Sequence, residues 1–265
     1  MNECPNNTII ELASINKLED AVLRTEVIVP AVQKNDKTPS WDGEMQLYRV
    51  RGMFTKEDLI GRIPIQVKGA WVKRFDKRKA KFQVQVSDLR NYMNDGGVIF
   101  FLIQIKDYDD YKIYYASLLP FDLRRLIDEA KSQKTKRISL EVFPHKYRDG
   151  VIQIFSDFLL DKKKQSMLLP NVRSMEDLEK SNMSIERFEF SVPRCGIDSI
   201  DDVFDKLLNS MPYIYVKPKD VEATFVVDRI RPEQIVTHQS TPVTVKGEVL
   251  FDHIDIIRKV EGKKK

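Results

Sequence analysis

Residues 8–24, TIIELASINKLEDAVLR, repeat their apolar positions at helical period. Ile15, Leu18 and Val22 stack at spacings of three and four, with Leu12 beside them, while Lys17, Asp20 and Arg24 fall on the opposite side. VIVPAV follows as an extended segment and QKNDKTPS as a polar loop. The period then drops to two. Residues 42–48 and 62–71 read as strands, with TKEDLIGR between them as a loop holding at most one helical turn. The basic stretch VKRFDKRKAK is expected to turn the chain back into a strand, FQVQV. Ser87 or Asp88 then caps a short helix, DLRNYMN, which stops at Gly96–Gly97.

VIFFLIQI has the unbroken apolar character of a buried strand, and KIYYASL is its expected hairpin partner. PFDLRRLIDEAKS places proline in its first turn and reads as a helix. RISLEVF and VIQIF read as two more strands. No internal repeat is present. The polar stretch 161–182 separates a first domain, 1–160, from a C-terminal module, 183–265. The module holds ERFEFSV, a helix near SIDDVFDKLLNS, and the strand-like runs PYIYVK, ATFVVD and PVTVKGEVLF. The expected class is α/β, a mixed sheet flanked by helices, followed by a small α+β or β-rich accessory module.

Composition adds bounds. A chain of 265 residues with 42% hydrophobic and 32% charged residues is expected to fold and stay in solution. The net charge of +4, from 44 basic and 40 acidic side chains, names no partner by itself, so the placement of charge matters more than its sum. Cys4 and Cys195 show neither metal-ligand spacing nor a disulfide framework, which suits a reducing, cytoplasmic setting in a microbe. The opening MNECPNNTII has no basic region ahead of an apolar core, so no secretory signal is expected. The longest apolar run, VIFFLI, is too short to span a bilayer, and no membrane partner is expected.

Candidate chemistry lies on the early strands. Side chains alternate along a strand, so Asp42, Glu44 and Gln46 share one face while Met45 and Leu47 share the other. Ile63, Ile65 and Val67 point one way, and Gln66 and Lys68 the other. If the two strands pair, an acid, an amide and a lysine converge. On the helix, Glu11 falls on the stripe of Ile15, Leu18 and Val22, and Glu19 lies near its other edge. A carboxylate within an apolar stripe needs a partner or a metal, so one of the two is expected to face the sheet. Such a patch suits phosphodiester hydrolysis. Mg²⁺ or Mn²⁺ takes oxygen ligands, which Asp42 and Gln66 supply, and Lys68 can orient the attacking water and offset charge on the phosphate. Six basic residues, Lys73, Arg74, Lys77, Arg78, Lys79 and Lys81, begin just past that strand and are placed to hold a nucleic-acid backbone.

Each feature has a plainer reading. Gln66 and Lys68 can be the wet face of a half-exposed strand, Asp42–Gly43 a turn, the basic run a solvated hairpin tip, and Glu11 a local cap. His145, His238 and His253 have no ligand spacing and read as structural.

The order of a helix glutamate, Asp-Gly at a strand start and Gln-Val-Lys on the next strand resembles the PD-(D/E)XK nuclease superfamily. More narrowly, it is similar to a prokaryotic, Mrr-like branch with a glutamine in the motif, met in restriction and phage defence. The residues that carry the likeness are IIELAS, WDGEMQLY, GRIPIQVKGAW, FQVQVSDLRNYMNDGGVIFFLIQI and YYASL. It covers roughly the first half of the chain and leaves the module after residue 180 untouched. The resemblance implies a restriction-endonuclease-like core that cleaves DNA, double-stranded in preference, with Mg²⁺ or Mn²⁺. It implies metal ligation by Asp42 and Gln66, a catalytic Lys68 and an auxiliary acid at Glu11. Gln66 departs from the carboxylate of the family's name motif, which lowers the negative charge offered to a metal. Two alternatives stand beside this: a nuclease-like fold without catalysis that binds nucleic acid or acts as a scaffold, and a module that meets an acidic protein through its basic run. The C-terminal module is the expected place for targeting or assembly, with a second copy or a partner subunit.

Overall fold

The computed structural model describes residues 5–32, 40–168, 180, 185–189, 213–219, 224–229, 240–245 and 248–255. The chain divides into two compact units, Met1–Met167 and Leu168–Lys265.

The first unit is an α/β layer structure around a mixed seven-stranded sheet. Its elements run α1 (Asn7–Leu23), β1 (Ile28–Val32), β2 (Gly43–Tyr48), β3 (Leu59–Trp71), β4 (Lys79–Gln85), α2 (Val86–Asn94), β5 (Val98–Ile105), β6 (Tyr111–Leu118), α3 (Pro120–Ala130), β7 (Thr135–Val142) and α4 (Arg148–Leu168). The strand order is β1-β2-β3-β5-β6-β7-β4. β3 and β5 run parallel, with Gln66 opposite Phe100 and Lys68 opposite Leu102; the other pairs are antiparallel. β5 is buried along its whole length, as an apolar central strand must be.

Two helices cover each face. A Cβ on Gly69 would sit 2.3 Å from Ser14 Oγ and 2.8 Å from Ile10 Cγ2, so α1 lies directly on the face of Ile65, Val67 and Gly69. On that same face Phe101 packs against Phe143 and against Phe155 of α4. The opposite face carries Phe100, Leu102 and Tyr114, which pack with Leu89 and Tyr92 of α2 and Leu123 of α3.

Three expectations are overturned here. VIQIF is helical, the start of the 21-residue α4. Val151, Phe155 and Phe158 are its buried apolar positions, a spacing of four and three that only a helix puts on one side. The helix continues through residue 168, so the first part of the polar stretch 161–182 is helical as well. Second, β4 does not fold back on β3. It pairs with β7 at the far edge of the sheet, Lys79 opposite Glu141 and Gln85 opposite Thr135. Third, α2 starts at Val86, one residue after β4, with no side-chain cap. Val86 N–H donates instead to Lys134 C=O at 2.9 Å, and Asp88 is engaged elsewhere.

In the second unit, β8 (Ile185–Glu189), β9 (Tyr213–Pro218) and β10 (Phe225–Arg229) form a sheet in the order β10-β9-β8. The run PVTVKGEVLF, expected as one strand-like run, is divided between two antiparallel strands, β11 (Ser240–Val245) and β12 (Glu248–Asp255). The expected helix near 199–210, together with Cys4, Cys195 and His238, lies outside the described residues. Among the described residues, no helix is long and apolar enough to cross a membrane.

Candidate active site

β2 and β3 pair antiparallel, with Gly43 opposite Ile65. Asp42 therefore enters the sheet beside the middle of β3. Its own N–H donates to Ile65 C=O at 3.1 Å, and its Oδ2 accepts the Val67 N–H at 2.7 Å and an N–H of the Gln66 side-chain amide. Gly43 makes this entry sterically open. It has φ +141, and a Cβ there would lie 2.4 Å from Ala31 C=O. The Asp-Gly pair is thus a strand start fitted against β1, and the plain-turn reading fails.

Gln66 is only 4% exposed, so it is no wet-face residue. Its Nε2 turns to Asp42, and its Oε1 accepts the Tyr92 hydroxyl at 3.3 Å. Burial pushes the Tyr92 phenol above its ordinary range, with the Asp88 and Asp42 carboxylates adding to the effect. The group stays a protonated donor. Lys68, on the same face one pleat along, is exposed. Lys68 donates no hydrogen bond to any described residue, yet its charge reaches Asp42.

Burial raises the Asp42 carboxyl above its usual range. The Val67 N–H and the Lys68 charge pull it back, and Glu11 pushes it up again. Glu11 is thus within electrostatic reach of Asp42. Its placement corrects the sequence reading: the buried side of α1 is Ile10, Ser14, Ile15, Leu18, Ala21 and Val22, and Glu11 is exposed at its rim. The close approach at Gly69 turns the helix, so the stripe is centred on Ser14 rather than on Glu11. Glu19 is half-buried and has a partner of its own.

The sequence reading missed the contacts that hold the segment before Asp42. Ser40 Oγ donates to Asp88 Oδ1 at 2.9 Å and accepts from Asn91 Nδ2 at 2.9 Å. Trp41 meets the Tyr92 ring edge-on with centroids 6.0 Å apart. Asp88, Asn91 and Tyr92 thus clamp the segment that ends in Asp42. Their spacing of three and four was legible as one polar face of α2.

The basic run is a crossover segment and not a hairpin tip. Residues 72–78 pass from β3 toward the far edge and are pinned on the way. Asp76 N–H donates to Gln104 Oε1 at 3.0 Å, Gln104 Nε2 returns a bond to Asp76 at 2.7 Å, and Lys112 Nζ and Tyr114 OH reach the Asp76 C=O. Lys73, Arg74, Lys77 and Arg78 are exposed on this segment. Lys79 and Lys81 belong to the edge strand β4, where Lys79 lies 3.9 Å from Glu141.

No family model, no curated protein and no solved structure matches this chain. Among the described residues, no three His, Cys, Asp or Glu side chains group as a metal site.

Proposed function

We propose that the first unit is a divalent-metal-dependent endonuclease with a restriction-endonuclease-like core, acting on DNA in a restriction or defence setting, and that the second unit serves targeting or assembly. The observation that supports this is the gathering of one patch from three elements. Asp42 and Gln66 are hydrogen-bonded, and Lys68 and Glu11 both act on the Asp42 carboxylate.

The donor set fits a hard cation. Asp42 Oδ1 accepts no hydrogen bond among the described residues, and Glu11 has no described hydrogen-bond or ion-pair partner. A half-buried carboxylate within electrostatic reach of a second one is a place where positive charge is favoured. Asp42, Glu11 and Gln66 would hold the ion. Gln66 now turns nitrogen toward Asp42. Rotating the amide by half a turn would present its oxygen, and the Tyr92 hydroxyl can serve as acceptor as readily as donor. The ion would supply Lewis-acid stabilisation of charge at the phosphate. Lys68 orients the attacking water and donates hydrogen bonds to the phosphoryl oxygens as their charge grows. The water oxygen bonds to phosphorus and gives up a proton to solvent, the bond to the leaving sugar oxygen breaks, and that oxygen takes a proton from a second water.

The test is nicking of supercoiled plasmid with Mg²⁺ or Mn²⁺. Lys68→Ala should lower cleavage by about a hundredfold or more while the fold and DNA affinity persist. Undiminished nicking would move the chemistry elsewhere. A second reading, nucleic-acid binding without cleavage, is favoured by the amide nitrogen at Asp42 and by the absence, among the described residues, of three grouped His, Cys, Asp or Glu side chains. No nicking by the wild type with either ion, alongside salt-dependent binding, would select it.

A further inference from the structure

A second polar cleft lies on the same face of the sheet as α1, at the helix's other end. It has a volume of about 480 Å³ and is walled by Asp20, Arg24, Tyr111, His145, Lys146 and Arg148. From Glu11, the Asp20–Arg24 stretch is about 14 to 20 Å along the helix at 1.5 Å per residue. The cleft is therefore separate from the Asp42 patch.

Its chemistry is cationic and incompletely satisfied. Asp20 is the one carboxylate among the cleft's lining residues, and Arg24 already holds it through Nη2 at 2.8 Å. Arg148 spends its Nε on Thr25 C=O at 2.9 Å, which fixes the guanidinium and leaves both terminal nitrogens without a described acceptor. Lys146 has no described partner, and His145 uses Nδ1 on Phe143 C=O, leaving Nε2 free. With Asp20 already taken by Arg24, the Arg148 terminal nitrogens, Lys146 and His145 Nε2 have no described acceptor, and donors in this number suit a dianion. One wall is aromatic: the Tyr111 and His145 rings lie 5.8 Å apart, tilted by 34°, and Lys17 caps Tyr111 at 4.7 Å. The volume is in the range of small-ligand sites.

We propose that this cleft binds a nucleoside bearing a terminal phosphate, with Lys146, Arg148 and His145 on the phosphate and Tyr111 against the base. A free nucleotide and the end of a strand present the same phosphate, and the chemistry recognised is the same.

The test is calorimetric titration of the full chain without metal or duplex DNA, so it stands independently of the nuclease proposal. Adenosine 5′-monophosphate should bind, and adenosine should bind at least about tenfold more weakly. Lys146→Glu, an exposed position, should weaken the nucleotide by about tenfold or more without lowering the melting temperature. Tyr111→Ala should weaken it while leaving inorganic phosphate unchanged. Tighter binding of the mononucleotide than of a 5′-phosphorylated hexanucleotide would assign a free ligand, and the reverse order a strand end. Absence of nucleotide binding at millimolar concentration, or binding indifferent to Lys146→Glu, overturns the proposal.

Discussion

Asp42 is costly to the metal-free fold because it is ionised where water is partly excluded. Its carboxyl is raised from an ordinary value of 3.8, burial being the largest cause. A carboxyl raised in the fold binds its proton more tightly folded than unfolded. Its stabilising contribution is therefore complete below the ordinary value and is lost as pH rises through the raised one. At neutral pH the charge opposes folding. Asp42→Asn keeps an oxygen able to accept from Val67 N–H and Gln66, and removes the charge. Metal-free thermal unfolding should show the variant more stable than wild type at pH 7, with the gain vanishing near pH 3. Equal melting temperatures at both pH values would remove the strain assigned here. The Asp42–Gln66 pair was legible in sequence because strand alternation alone sets which residues share a face. Tyr92 was not, because its role depends on α2 crossing over β3, which no local pattern encodes.

At the scale of elements, the helix–sheet contact at Gly69 sets where Glu11 lies. Gly69→Ala would drive a methyl into Ser14 Oγ, which is tied to Ile10 C=O at 2.7 Å, and into Ile10 Cγ2 beside its own backbone, short side-chain atoms with little room to turn aside. Gly61→Ala meets only the tips of the Leu159 side chain, at 3.0 Å, and these can turn aside. Denaturant unfolding should show a loss of about 2 to 3 kcal/mol for the first and under about 1 for the second. Equal losses would mean that α1 sits further off the sheet. The same contact explains the misreading of Glu11: helical periodicity finds a stripe, but its centre depends on which sheet residue is small. The misread α4 has a different cause, since the five-residue run VIQIF fits either period, and only Phe158 beyond it decides.

Across the first unit, the six residues of the basic run belong to two places. Lys73, Arg74, Lys77 and Arg78 ride the crossover segment, on the sheet face that also carries Lys68. Lys79 and Lys81 face outward from the edge strand, with Lys79 beside Glu141. If DNA lies across Lys68, replacing Lys73 and Arg74 together by Ala should flatten the salt slope of binding by about two units. Replacing Lys79 and Lys81 should change it by less than about one. Equal slopes for the two pairs would restore a single basic patch. The sequence showed the charges but not this division, because a short basic link between two strands looks like a hairpin unless the partner strand, about fifty residues on, is known.

The far placement of β4 also bears on how the chain is made. Its hydrogen-bonding partner, β7, lies about fifty to sixty residues downstream. At synthesis rates of roughly 5 to 20 residues per second, β4 waits about 3 to 12 s with both edges bare. A waiting apolar strand invites pairing with a neighbouring chain, and the lysines and glutamines at 79, 81, 83 and 85, on alternate positions, oppose that. The charges on this strand therefore have a use before any ligand arrives: they keep a late-pairing edge from aggregating while the sheet assembles beside it.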